Sequence, residues 1–228
     1  MDNPADHINL QLSPADLQQF DQLLQQYHDF FVIEQAVLAN ISPLSTPLPT
    51  YEQFLLMIPE PFLMASEQAG LDRSALKSLS KLGELAEELA VYLRSQAKKL
   101  DMLMRYLLIQ QDNPAFRCHT QSFGGSALNF ISTSSYCLGQ TLEVKLFLNG
   151  SDGAVYFLAT VLDATLQPAG ELMPTAKVGT SPLDPCYLVR TVVSLIRDED
   201  REVLVRASLH EQSRQLKQKA LLRQQGKS

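Results

Sequence analysis

The chain has 228 residues, of which 45% are hydrophobic and 19% are charged, so it can bury a core in one large or two small domains and is not of the disordered class. A pI near 5.2 excludes the basic footprint of a general nucleic-acid binder. No apolar run approaches the ~20 residues that span a bilayer, and the polar first residues do not resemble a signal peptide, so we expect a cytoplasmic protein.

Charge is distributed unevenly along the chain. Residues 1–72 carry ten Asp or Glu and no Lys or Arg, whereas the remaining residues carry 19 cations and 15 acids. This separation favours contact between the acidic and basic parts, or a basic surface for an anionic ligand. The alternative is that the cations of the last thirty residues are simply solvated, since exposed ion pairs contribute little.

The first predicted element is a helix over residues 14–41. Ser13 and Pro14 form an N-cap and N1 pair, and apolar residues then recur at alternating spacings of three and four. These residues are Leu17, Phe20, Leu24, Tyr27, Phe31, Leu38 and Ile41, and the polar Glu34 occupies the position between Phe31 and Leu38. Prolines then predict a connector over 42–61, interrupted by a short helix in the stretch YEQFLLMI.

A second and longer helix is predicted over residues 73–111. Its repeat of seven predicts a seam for self-association, formed by Leu79, Leu82, Leu89, Leu93, Gln96, Leu100, Leu103 and Leu107. An amphipathic helix packed within one subunit is the alternative. We therefore expect residues 1–112 to form a helical oligomerisation region, with a multi-helix bundle between subunits.

After Asn113-Pro114 the apolar period changes from about 3.5 to two, which predicts strands. Six runs carry this pattern: FRCHTQSF, SALNFIS, TLEVKLFL, VYFLATVLDA, YLVRTVVSLI and REVLVRASL. Asp198-Glu199-Asp200 is interpreted as a hairpin tip, and Ser208 to Glu211 as a capping box that opens a C-terminal helix. Residues 113–228 are thus predicted to be an antiparallel barrel or sandwich followed by a helix.

The stretch Ser122-Phe123-Gly124-Gly125-Ser126 lies between the first two predicted strands. Glycine supplies the positive φ values that a tight connection needs, and it leaves backbone N–H groups open to a phosphate. A plain hairpin turn is the alternative interpretation.

Three segments together resemble a PilZ domain. They are TQSFGG followed by SALNF, then LGQTLEVKLFL, and finally VLVRASLHEQSRQLKQKALLR. The resemblance covers about residues 114–222, and with the preceding heptad helices the chain is similar to the atypical, tetrameric branch of that family. It implies an α+β protein in which N-terminal heptad helices form an oligomerising bundle ahead of a six-stranded antiparallel PilZ-like β-barrel with a C-terminal helix.

PilZ domains are bacterial cyclic di-GMP receptors, and the resemblance also implies site residues. Ser122 and Gly125 match the D/NxSxxG turn of the family, and Thr120 stands where that turn has an acid or amide. The arginine pair RxxxR that precedes the barrel in the family is interpreted as missing from the whole chain. Arg117 and Arg105 are therefore the expected substitute cations.

The sequence contains no GxSxG, HExxH or Walker motif, so we expect no enzyme activity. The three cysteines favour reduced thiols, and neighbouring residues Cys118 and His119 would face opposite sides of a strand, which argues against a metal site. We expect a homo-oligomer, with a tetramer implied by the resemblance, that regulates motility, biofilm or virulence through cyclic di-GMP and an unidentified partner protein. The alternative is a degenerate PilZ scaffold that binds proteins and not the nucleotide.

Overall fold

A computed structural model of the chain describes residues 27–63, 84–148, 153–167 and 186–225. Its elements, in chain order, are strands β1 (Ile33–Glu34) and β2 (Leu38–Pro43), helices α1 (Tyr51–Met57) and α2 (Glu84–Gln111), strands β3 (Arg117–Phe123), β4 (Ala127–Ser132), β5 (Thr141–Phe147), β6 (Ala154–Gln167) and β7 (Cys186–Leu195), and helix α3 (Asp198–Gln225). Residues 60–63 are also helical, and short 3-10 turns cover Tyr27–Asp29 and Pro114–Phe116.

The strands form a closed antiparallel barrel. Their order is β1-β3-β2-β5-β6-β7-β4, and a further pairing of β4 with β3 closes the ring. Strands β1 and β2 pair with different parts of β3, so they act as one interrupted strand on the same side of it. The barrel therefore has six walls, the number predicted, although β1 and β2 together form one wall that the alternating runs did not predict.

The barrel interior is filled by apolar side chains from alternate positions of every wall. Val144, Leu146, Phe157 and Val189 are among those with no more than 1% of their surface exposed. Helix α3 adds residues to the same core. The helix that follows the last strand thus packs against the barrel interior.

A second apolar layer covers the outer face of β5 and β6. Phe54 of α1, Phe62 of the helical stretch 60–63 and Leu108 of α2 pack against Phe147 and Tyr156. The short helix predicted in YEQFLLMI is confirmed, and it begins with a capping box at Thr50. This layer joins the end of α2 to the barrel wall.

The predicted helix over 14–41 is wrong for residues 27–41. This stretch contains β1 and most of β2, and Ala39 pairs with both Cys118 of β3 and Leu146 of β5. The buried residues Val37, Ala39 and Ile41 follow a period of two, which the spacing of larger residues concealed. The proposed boundary at residue 112 therefore does not separate the barrel from the N-terminal half.

The predicted strand REVLVRASL is also wrong, because it belongs to helix α3. Its buried residues Val203, Leu204, Ala207, Ser208 and Glu211 follow helical spacing. The acids at 198–200 lie in the first turn of α3, where they favour a helix through its dipole, and not at a hairpin tip. Ser208 is no N-cap: its hydroxyl donates to the Val205 carbonyl within the helix, at 2.7 Å.

The long predicted helix agrees with the structure over its described part, Glu84–Gln111. The seam residues Leu79 and Leu82 lie outside the described residues. The other seam leucines are exposed in the single chain: Leu89, Leu93, Leu100, Leu103 and Leu107 have 38–59% of their surface accessible. Their role in self-association stays a prediction.

Candidate ligand site at the glycine turn

Gly124 and Gly125 form the turn between β3 and β4, and the Gly124 N–H donates to the Ala127 carbonyl at 2.9 Å. The expectation of positive φ at these glycines is wrong. In the described part of the chain, positive φ occurs at Gly139 and Gly153 instead. The two adjacent glycines need another physical reason.

That reason is the close approach of two neighbouring segments. A Cβ on Gly124 would lie 2.0 Å from the carbonyl oxygen of Phe31. A Cβ on Gly125 would lie 2.7 Å from Cγ2 of Val205 on helix α3. The turn is therefore held between the segment that precedes β1 and the helix that follows β7, and only glycine fits both contacts.

We call residues 27–32 the strap, because this segment crosses the outer face of the barrel beside the turn. Its apolar side chains Tyr27, Phe30 and Val32 pack in one cluster with Ala127 and Leu162. Tyr27 donates its hydroxyl hydrogen bond to Oδ1 of Asn129 on β4. Burial raises the pKa of Tyr27, so its hydroxyl keeps its proton at neutral pH.

A row of four polar side chains continues across the wall from the turn. Ser122, Asn129, Arg190 and Asp163 occupy paired positions on β3, β4, β7 and β6, so their side chains share the outer face. Asn129 donates to Ser122 Oγ at 2.7 Å, and Nη1 of Arg190 donates to Oδ2 of Asp163 at 2.6 Å. We call these four residues the polar row.

Arg201, in the first turn of α3, also contacts the glycine turn. Nη1 of Arg201 donates to the Gly125 carbonyl at 2.7 Å. Arg197 donates two hydrogen bonds to the Asp200 carboxylate in a bidentate arrangement, with nitrogen–oxygen distances of 2.9 and 3.1 Å. The stretch Arg197 to Arg201 reads RDEDR, so the RxxxR spacing does occur in this chain, after the barrel instead of before it. The interpretation that the chain lacks RxxxR is therefore wrong.

The other predicted site residues are placed apart from the turn. Thr120 is buried, and its hydroxyl donates to the Gln35 carbonyl at 2.7 Å and accepts from the Val37 N–H at 3.0 Å, so it ties the β1–β2 junction to β3. Arg105 donates to the Phe147 carbonyl at 3.2 Å. Burial lowers the pKa of Arg105.

Arg117 donates to carbonyls at the end of α2, those of Ile109 and Asp112. Neither Arg105 nor Arg117 is brought to Ser122 and Gly125 by any of these contacts. The cations at the turn and on the adjoining wall are instead Arg201 and Arg190. Contact of any of these residues with a ligand stays a prediction.

Sequence reasoning missed Asn129, Arg190 and Asp163. Each is a polar residue in a largely apolar strand, which is a weak local signal. Their common feature is the register of four strands, and that pairing joins residues up to 61 positions apart in the chain. Only the fold shows that they form one row.

The chain is similar to proteins of known structure, one of which is described below. No protein-family model and no curated protein matches the chain. The structure is a crystal structure of a protein from Xanthomonas campestris, described as a new tetrameric PilZ domain self-assembled via a helical bundle. It shares 14% identity, covers 87% of this chain and 98% of its own, and superposes with a TM-score of 0.48.

The strand pairing defines the class of fold: six antiparallel walls in a closed ring, followed by a helix, as expected from the resemblance to PilZ domains. Among the described residues, no helix is long and apolar enough to cross a membrane. Nor do the described His, Cys, Asp and Glu form a group of three or more that could hold a metal ion. Burial raises the pKa of the Cys118 thiol to about 12, which disfavours the thiolate that metal binding needs.

Proposed function

We propose that this protein is a non-enzymatic signalling protein, a PilZ-like cyclic di-GMP receptor that regulates motility, biofilm or virulence. One observation carries the proposal: the glycine turn lies beside an outward polar row that contains a guanidinium and a carboxylate, on a closed barrel followed by a helix. The site chemistry favours a ligand that has both anionic groups and hydrogen-bonding base edges.

Cyclic di-GMP combines two phosphodiesters with two guanines. Arg201 stands at the turn and Arg190 on the wall, and a guanidinium can give a phosphate two parallel charge-assisted hydrogen bonds. Ser122 and Asn129 add a hydroxyl and an amide between them. These groups suit an anionic nucleotide better than an apolar ligand.

We also propose that the protein acts as an oligomer, with a tetramer as the expected form, through helix α2. Five seam leucines are exposed in the single chain. Full burial of a leucine side chain stabilises by about 1.5–3 kcal/mol, so covering several of them in a second copy would be strongly favourable. The seven-residue repeat is the pattern that selects another helix as the partner.

Equilibrium dialysis with radiolabelled cyclic di-GMP tests the receptor proposal. The wild-type chain is compared with Ser122→Ala and Arg201→Ala, and Arg117→Ala serves as a control cation away from the turn. We expect micromolar binding that falls at least about tenfold in Arg201→Ala, as loss of a charge-assisted bond predicts. Equal losses in Arg201→Ala and Arg117→Ala would contradict the assignment of the turn as the site.

The second candidate function is a scaffold that has lost the nucleotide and binds partner proteins. Specific contacts favour it: the strap covers the turn, Thr120 is committed to backbone groups, and Arg197 and Arg201 bond within the chain. To bind at the turn, a ligand would have to break some of these intramolecular contacts and form new ones. Absence of any cyclic di-GMP binding in the dialysis experiment would favour the scaffold.

A further inference from the structure

Two ends of the polar row differ in their access to solvent. At the β3 end Ser122 is only 4% exposed, and Tyr27 of the strap bonds Asn129 from above. At the other end, 37% of the Arg190 side chain and 31% of the Asp163 side chain are exposed. A ligand that reaches this wall therefore meets Arg190 and Asp163 first.

The ion pair keeps hydrogen-bonding capacity for a further partner. Oδ2 of Asp163 accepts from Nη1 of Arg190 and from Thr165 Oγ1, each at 2.6 Å. In the described part of the chain, Oδ1 of Asp163 and the Nε and Nη2 groups of Arg190 have no such bond. The pair thus presents an acceptor and a fork of donors side by side.

This combination matches one purine and mismatches the other. Guanine offers O6 and N7 as acceptors to a guanidinium, and its N1–H and N2–H groups as donors to a carboxylate. In the same pose adenine places an amino donor where guanine has O6 and an acceptor where guanine has N1–H, so only N7 still pairs with the guanidinium. The discrimination therefore requires that both side chains meet the O6 and N1 side of the base, where the hydrogen-bond directions of guanine and adenine are opposite.

We infer that Arg190 and Asp163 form the guanine-reading pair of the ligand site, an inference that rests on the proposed receptor function. They replace the acid that Thr120 does not supply in the turn motif. They lie on the last two strands of the barrel and outside the turn motif, which is why no motif search finds them. Their role is to set the preference for guanine over adenine, while the cation at the turn contributes charge.

Calorimetric titrations with cyclic di-GMP and with cyclic di-AMP test the inference on the full chain. The variants are Asp163→Asn and Arg190→Lys, which preserve size and, for lysine, charge. Glu202→Gln is the matched control, because it removes an exposed carboxylate from another ion pair, that with Arg206 on α3. Thermal unfolding of each variant checks folding, and we expect little change because exposed pairs contribute little to stability.

We expect the wild type to prefer cyclic di-GMP, and Asp163→Asn to lose at least about tenfold in that preference with cyclic di-AMP affinity nearly unchanged. A wild type that binds cyclic di-GMP, with the preference equal in wild type, Asp163→Asn and Arg190→Lys, would overturn the inference and leave the receptor function standing. Equal loss for both nucleotides would also overturn it, because it would mark the pair as structural. A wild type that binds neither nucleotide up to about 1 mM, where binding is worth only ~4 kcal/mol, would overturn the inference and the receptor function together.

Discussion

Gly124→Ala should destabilise the protein by displacing the strap from the turn. The new Cβ would lie 2.0 Å from the Phe31 carbonyl oxygen, 3.1 Å from its carbon and 3.3 Å from Cα of Val32. All three are backbone atoms, so no side chain can rotate away. Ordinary contact begins near 3.4 Å, and the strap or the turn must therefore shift by more than an ångström.

The magnitude follows from two opposing terms. Overpacking of this kind costs about 1–3 kcal/mol, and any release of Tyr27 and Phe30 from the wall adds lost apolar burial. Replacing glycine by alanine where φ is negative stabilises by about 0.4–1 kcal/mol, because the unfolded chain loses freedom. We expect a net loss of about 1–2 kcal/mol, or roughly 2–8 °C in Tm for a chain of this size.

Gly125→Ala is the matched comparison, since its Cβ would meet Cγ2 of Val205, the end of a half-exposed side chain. We expect a smaller loss, below about 1 kcal/mol, and full recovery on adding Val205→Ala. Urea unfolding followed by circular dichroism measures the wild type, the two glycine variants, and each glycine variant combined with Val205→Ala. A Gly124→Ala variant as stable as the wild type, or one rescued by Val205→Ala, would refute the packing explanation of the double glycine.

Three further predictions concern the barrel and its assembly. Thr120→Val should lower the free energy of unfolding in urea by about 1–3 kcal/mol, because it leaves two buried backbone groups at the β1–β2 junction without their hydroxyl partner; unchanged stability would contradict this role. The double variant Leu100→Glu with Leu103→Glu should form smaller assemblies in sedimentation equilibrium. Leu216→Glu on α3 is the control, because Leu216 is also exposed, and it should leave the assembly unchanged. Equal effects of the two would refute the seam as the interface between subunits. Hydrogen bonds from the neighbouring arginine lower the pKa of Glu211 from its ordinary 4.5, so its stabilisation is present above that value and is lost as the pH falls through the folded-state pKa. The stability difference between wild type and Glu211→Gln should therefore shrink from about pH 6 to about pH 3, and a constant difference would disprove the linkage.

Local patterns predicted five of the barrel walls, because each of these strands alternates within its own sequence. The sixth wall escaped prediction for a physical reason. Residues 33–43 pair with strands more than 70 positions away, and their large residues satisfy a helical spacing as well as a strand one. The tertiary partners, and not the local propensity, decide their conformation.

Only the turn residues of the candidate site could be predicted from the sequence. Ser122 and Gly125 were found from the turn motif, but the reason for the glycines is contact with Phe31 and Val205, which lie far away in the chain. The cations expected to replace the RxxxR pair, Arg105 and Arg117, were chosen because they lie near the turn in the sequence. The fold instead brings Arg201 to the turn from the helix that closes the domain, a neighbour that no spacing rule shows.

The most direct test of the central claim is a calorimetric titration of the purified wild-type protein with cyclic di-GMP at physiological salt. The receptor account predicts saturable binding with a dissociation constant in the micromolar range or tighter, which corresponds to about −8 kcal/mol. Absence of binding up to about 1 mM, where the free energy would be only ~4 kcal/mol, would contradict it. The glycine turn would then be a packing device of the barrel, and the function would lie in the assembly and its protein partners.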